Sequence, residues 1–168
     1  MTIMKLNASV FDELYTPAEV TKALIKHLPS SFMTVWCPCD TSDSNIVKEL
    51  EGSGYKVITS HIKDGKDFLE WEPSEDYDCI ITNPPYSVKN VFIGRCVELK
   101  KPWALLLPTD ALTGSKRLKL YSNAKWKPSA ITLASRVDFT GKNSPWFNVC
   151  WICSMPKVTG KWIMEDWK

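Results

Sequence analysis

The chain has 168 residues, of which 44% are hydrophobic, 24% charged and 11% aromatic. That is enough apolar content to exclude a disordered chain and to bury one core, and too little length for a second domain. The net charge of +2 conceals an asymmetry: residues 1–84 carry 7 Lys and Arg against 14 Asp and Glu, and residues 85–168 carry 14 against 5. Such a division directs a nucleic-acid partner to the second half.

In chain order, Thr16-Pro17-Ala18-Glu19 predicts a helix start, with Thr16 as N-cap, Pro17 in the first helical position and Glu19 closing a capping box. Val20, Ala23, Leu24 and Leu28 then mark one apolar face at helical spacing. Residues 32–37 read as a strand, 45–51 as a helix ended by Gly52 and Gly54, and 55–60 as a second strand. The apolar run 77–82 ends abruptly at Asn83-Pro84-Pro85-Tyr86. Beyond it, Val88, Val91, Phe92, Cys96 and Leu99 share a helical face over 87–99. The continuous apolar run 103–107 reads as a strand covered on both sides. Further strands are expected at 130–134 and 147–155, separated by the turn-rich stretch 138–145. The succession predicts an α/β fold, an open and mainly parallel twisted sheet with a C-terminal antiparallel hairpin. Ligands of such sheets bind outside the carboxyl ends of the strands, where residues 83–86 fall.

Two prolines in succession offer no N–H to a ladder, so they make a stiff exit with fixed carbonyl directions. Asn83 adds a side-chain acceptor and an NH₂ donor, and Tyr86 a flat ring with a polar tip. Together they form a cradle for a planar group bearing an NH₂. Ser87 either caps the next helix or lends its hydroxyl to the site.

Asp78-Cys79-Ile80-Ile81-Thr82-Asn83-Pro84-Pro85-Tyr86-Ser87 resembles the signature of the S-adenosylmethionine-dependent amino-methyltransferases: Asp, Asn or Ser, then Pro-Pro, then an aromatic residue. In that family the tetrapeptide follows the fourth strand and binds the amino group to be methylated. The NPPY form is typical of adenine-N6 methyltransferases acting on DNA, with RNA- and glutamine-methylating relatives. The resemblance implies a Rossmann-like catalytic domain over 1–168 without a separate target-recognition domain. It implies S-adenosylmethionine as cofactor, and Asn83, Pro84, Pro85 and Tyr86 as catalytic residues. An exocyclic amine shares its lone pair with the ring; accepting both of its N–H bonds at Asn83 and the Pro84 carbonyl frees that pair, so positioning is the main contribution. A target in duplex DNA has to be flipped out, with stacking on Tyr86 offsetting part of the cost.

The order of the remaining elements resembles the gamma arrangement, reaching from Tyr15 to about Trp151. Tyr15-Thr16-Pro17 matches the motif that contacts the methionine end of the cofactor, and Asp67-Phe68 the pair that holds its adenine. Two departures stand out. The family's glycine-rich loop after the first strand is replaced by the glycine-free Cys37-Pro38-Cys39-Asp40-Thr41-Ser42-Asp43-Ser44. The acidic residue that grips the ribose is replaced by Ser60-His61. Cys37, Pro38, Asp40 and His61 are therefore expected at the cofactor, with Asp40 binding its amino group. The compact form is similar to the short adenine methyltransferases of phages and mobile elements.

In the basic half, Lys116, Arg117 and Lys119, with Lys125 and Lys127 downstream and Lys89 and Lys142 nearer the mouth, are expected to track phosphates. Phe139 and Trp146, with Phe147, flank the turn holding Lys142 and are expected at the base. Cys150 and Cys153 lie three apart on one predicted strand and so face opposite sides, which argues against zinc. No run reaches the length of a membrane span and no apolar leader core opens the chain, so a cytoplasmic protein with reduced cysteines is expected. The alternatives to DNA adenine are RNA adenine, a protein glutamine, or a silent nucleic-acid-binding module that has lost the cofactor. With so little chain left for target recognition, short or relaxed specificity or a separate specificity partner is expected.

Overall fold

The computed structural model describes residues 16–141 and 147–166. Its elements are α1 (Ala18–Ile25), β1 (Thr34–Pro38), α2 (Asn45–Gly52), β2 (Lys56–Ser60), β3 (Cys79–Thr82), α3 (Lys89–Leu99), β4 (Trp103–Pro108), α4 (Ser115–Ser122), β5 (Ser129–Leu133), β6 (Val149–Ser154) and β7 (Trp162–Glu165). The strands form one sheet in the order β2-β1-β3-β4-β6-β5-β7. Within it β6 runs antiparallel to both neighbours, β4 and β5, and the other pairings are parallel. This is a Rossmann-like, mainly parallel α/β sheet with an antiparallel β5–β6 pair, as the sequence predicts.

Alternation along the strands splits the core into two layers. Val35, Cys37, Ile81, Leu106 and Trp151 face α1 and α2, meeting Val20, Leu24, Val47 and Leu50. Trp36, Ile80, Leu105, Leu107 and Ile152 face the other way, against Phe92, Ile93, Cys96 and Tyr121. Cys150 and Cys153 fall in opposite layers, as their spacing requires. All six cysteines are free thiols, and burial raises the pKa of every one, so none is an activated nucleophile. Among the described residues no group of three His, Cys, Asp or Glu is placed to hold a metal, and no helix is long and apolar enough to cross a membrane.

Four local expectations change. The helix after residue 16 starts at Ala18 with no side-chain cap, because the Thr16 hydroxyl and carbonyl are drawn to Asn83 and Asn45 instead. The 87–99 helix is a 3-10 turn, Tyr86–Val88, followed by α3; its inner face carries Phe92, Ile93 and Cys96, leaving Val91 exposed. Residues 61–78 hold only a short 3-10 turn and irregular chain, so the diproline corner follows the third strand of the described residues rather than the fourth strand that the resemblance implies. β7, a strand the sequence does not predict, alternates exposed and half-buried residues, with Trp162 and Met164 on the side open to solvent and Ile163 against the core.

Beside the site, the buried Trp36 indole donates to Ser60 Oγ at 2.9 Å, tying β1 to the end of β2. Ser60→Ala leaves that N–H unpaired in the core. A loss of about 1–3 kcal/mol in urea unfolding is expected, with an unchanged m-value.

Candidate active site at the carboxyl edge of the sheet

The parallel strands β1, β2 and β3 deliver their carboxyl ends, Pro38, Ser60 and Thr82, to one edge. Past β1 the chain must turn sharply without a glycine. Cys39 makes the turn itself, at φ 70°, a left-handed conformation that costs a non-glycine residue about 1–2 kcal/mol. Asp40 then bridges back to Ser60, and Ser44 caps α2 by accepting from the Ile46 amide.

Asp40 is 9% exposed. Ser44 Oγ donates to its Oδ1 at 2.6 Å, and Thr82 Oγ1 lies 2.8 Å from its Oδ2 while also reaching the Pro38 carbonyl. Burial lifts its pKa from 3.8 to about 6, against the lowering effect of the two hydroxyls. An acid shifted into this range at a strand end marks Asp40 as a candidate site residue.

At the end of β3, the Asn83 amide donates from Nδ2 to Thr16 Oγ1 at 3.2 Å, and Asn45 Nδ2 donates to the Thr16 carbonyl at 3.0 Å. Thr16, 5% exposed, thus joins the α1 entry, the α2 start and the diproline corner. Pro84 is buried, with Pro85 and Tyr86 half-buried behind it. The Tyr86 ring meets Phe147 at 5.5 Å and 79°, and Phe147 lies near-parallel to Phe139 at 6.3 Å and 30°. Two aromatic walls therefore stand almost at right angles beside Asn83. The Tyr86 hydroxyl is buried with no hydrogen-bond partner among the described residues, and burial holds its pKa above the usual phenol range. An orphaned buried hydroxyl costs about 1–3 kcal/mol, which a polar ligand group reaching it would recover.

At β2, His61 Nδ1 accepts the Lys63 amide at 3.1 Å. That bond selects the tautomer with the proton on Nε2, a donor suited to a hydroxyl oxygen. Asp67 Oδ1 accepts the Leu69 amide at 3.0 Å, forming an Asx turn. Phe68 is 3% exposed, stacked on Phe92 at 4.8 Å and tilted against Trp36 at 5.2 Å. It is a floor to this end of the site rather than a projecting wall.

The structure therefore brings Thr16, Pro17, Pro38, Asp40, Asn83, Pro84, Pro85, Tyr86 and Phe139 into one region, with His61, Asp67 and Phe68 at its β2 end; Cys37, expected at the cofactor, is instead fully buried in the core layer facing α1 and α2. Tyr15, Lys142 and Trp146 lie outside the described residues. The basic residues separate. Lys89 pairs with Asp110 at 3.7 Å. The Arg117 guanidinium donates to the Thr113 and Asp110 carbonyls and to Asn90 Oδ1, wrapping the turn at Gly114. Lys116 is exposed at the start of α4 and Lys119 in its last turn, whereas Lys125 and Lys127 stand beyond its far end, at the amino edge of β5. Thr82, Ser44 and Asn45 were not singled out by the sequence; a lone Thr closing an otherwise apolar strand is the signal that points to Thr82.

The chain matches no protein-family model and no curated protein. Among solved structures it is similar to a Listeria monocytogenes protein described as a class I S-adenosylmethionine-dependent methyltransferase. The TM-score is 0.62 at 13% identity, over 97% of this chain and 68% of that one. It is also similar to a protein of Vibrio vulnificus described as the modification subunit of a type I restriction enzyme, with a TM-score of 0.55 at 11% identity, over 94% of this chain and 48% of that one. The chain thus spans about half the length of the Vibrio subunit. At such identities the likeness is one of fold: the sheet and its helices are arranged as in these two proteins.

Proposed function

We propose that the chain is a methyltransferase that uses S-adenosylmethionine to methylate the N6 amino group of adenine in nucleic acid, DNA before RNA. One observation carries the reading: Asn83 stands at the carboxyl end of β3 with its amide hydrogen-bonded to Thr16, beside the two aromatic walls of Tyr86 and Phe147. An Asn–Pro–Pro corner of this kind offers acceptors for an NH₂ and a ring for a base. The fold shared with the Listeria and Vibrio proteins supports it.

The residues present fit the cofactor. The buried Asp40 carboxyl is a counter-charge for an ammonium or sulfonium, and His61 Nε2 a donor for a ribose hydroxyl. Asp67 accepts from an adenine amine, and Thr16 holds the entry beside Asn83. When bound, the cofactor supplies an electrophilic methyl group. The chain's part is then to orient the amine and exclude water, since no strong base is required before transfer. Lys116 and Lys119 carry phosphate contacts, while Lys89 and Arg117 brace the rim. Specificity is short or relaxed, or is supplied by a separate chain.

The test is transfer of labelled methyl from S-adenosylmethionine to adenine-containing DNA and RNA, with the modified nucleoside identified by mass. Label in N6-methyladenine is expected, more in DNA than RNA. Label in a protein glutamine overturns the substrate. No transfer and no heat of cofactor binding at millimolar concentration leaves a silent binding module.

A further inference from the structure

Among the described residues β7 closes one edge of the sheet and pairs with β5 on one side only. Its hydrogen-bonding directions are fixed by that pairing. The Lys161 and Glu165 carbonyls accept from the Ala130 and Ala134 amides, so alternate residues 161, 163 and 165 address β5. The amides and carbonyls of Trp162 and Met164 accordingly address the open edge. Their side chains are each 74% exposed. They lie over the half of the sheet beyond α4, where Leu118, Tyr121, Ala130 and Ile152 line an open groove of about 360 Å³. The Trp162 indole is held in place by donation to Thr132 Oγ1 at 3.1 Å. An edge strand with outward ladder groups and two large apolar residues beside them is a template for a further strand.

We infer that this edge is the seam of a homodimer, in which β7 of a second copy pairs with it antiparallel about a two-fold axis. Opposed residues in an antiparallel pair share a face, and the outward groups must meet outward groups. The register centred on Ile163 satisfies both requirements. Trp162 then opposes Met164 of the second copy on the apolar face, each pair exchanging two ladder hydrogen bonds. Ile163 opposes itself on the other face. Lys161 opposes Glu165 there, a cross-strand pair of opposite charge. Glu165 already accepts from Lys26 at 2.9 Å and lies 2.6 Å from His27 Nε2, and a carboxylate has room for a further donor. The other occupant suggested by the neighbouring Lys125, Lys127 and Lys161 is a nucleic-acid strand. It would leave the ladder groups of Trp162 and Met164 unmatched. A seam of five residues a side is smaller than the roughly 1,200 Å² of a stable complex, so a weak, concentration-dependent dimer is expected.

Light scattering of the full chain across a concentration series, after nuclease treatment, reads the mass directly. A rise from one chain to two between about 1 and 200 µM is expected; a constant single-chain mass overturns the inference, as does a larger species that vanishes with nuclease. The register is tested by cysteine. Ile163→Cys places two thiols at a non-hydrogen-bonded antiparallel pair, with Cα atoms about 4.5 Å apart, within disulfide range. It should oxidise to a covalent dimer, whereas Trp162→Cys and Met164→Cys should each cross-link only when mixed with the other. Native thiols interfere little, five being buried and Cys39 half-buried. Self-linking of Trp162→Cys as fast as Ile163→Cys rejects this register. Met164→Pro removes an outward N–H and none that faces β5, so it should leave the fold cooperative while weakening the dimer at least tenfold. An unchanged dimer in that variant rejects the seam.

Discussion

Replacing Asn83 by Ala is expected to lower the methylation rate by on the order of 10²–10³-fold, the usual cost of removing one preorganised polar group from a reacting centre. The side chain does two things at once. It presents a carboxamide beside Tyr86 and Phe147, and its Nδ2 donates to Thr16 Oγ1. Losing the second bond costs about 1 kcal/mol of stability, so a folded, cofactor-binding protein that no longer turns over is the expected product. Single-turnover transfer from labelled cofactor to DNA separates the two effects. Asn83→Asp keeps an acceptor toward an amine but replaces the Nδ2 donor by oxygen, so the bond to Thr16 then depends on the Thr16 hydroxyl turning to donate. It should retain more activity than Ala. A rate within tenfold of the parent in Asn83→Ala, with methyl still on adenine N6, would take the diproline corner out of the reaction.

The corner was legible because its chemistry is local. Asn83, two prolines and Tyr86 carry their geometry in four consecutive residues, and the apolar strand before them places it in the sheet. The parallel core was legible for a similar reason, since 79–82 and 103–107 are buried on both faces and read as largely apolar runs. What stayed hidden depends on partners far along the chain. Thr16 reads as a helix cap from its neighbours alone, yet Asn83, 67 residues away, claims its hydroxyl. The glycine-free loop reads as a defect, yet Cys39 adopts the left-handed turn. Thr82 joins Asp40 across 42 residues. β7 escaped because Trp162 and Met164 put apolar side chains on the uncovered face while Ile163 faces the core, so its sequence shows no apolar–polar alternation. The basic residues read as one cluster along the chain, and α4 carries them to opposite edges of the sheet.

Asp40 yields the sharpest pH dependence. Its pKa is lifted from 3.8 to about 6 by burial, so the folded state holds the proton more tightly than the unfolded chain. The stabilisation is therefore fully present below pH 4 and is lost as pH rises through 6, a change of about 3 kcal/mol at 1.36 kcal/mol per unit. The hydrogen bonds show why the protonated form suits the apo site. Thr82 has one hydroxyl hydrogen and two acceptors in reach, Asp40 Oδ2 and the Pro38 carbonyl; protonating Asp40 relieves that competition, since its carboxyl can then donate to Thr82 Oγ1 while accepting from Ser44. Asp40→Asn reproduces that pattern without titrating. At pH 8 it should be at least as stable as the parent, and the difference between the two should close toward pH 4. Glu165 and Asp76, held low by hydrogen bonds from Lys26 and Lys101, slope the other way in both proteins and cancel in that difference. Cofactor binding should run opposite to stability. A cationic ligand favours the ionised carboxyl, so affinity in the parent falls as pH drops below 6, and Asp40→Asn binds about 10–100-fold more weakly at pH 8, the worth of one charge-assisted hydrogen bond. Calorimetry of S-adenosylmethionine at pH 5 and pH 8 on both proteins measures this. Equal affinities in all four titrations would leave Asp40 a purely structural acid and move the cofactor's cationic end elsewhere along the edge.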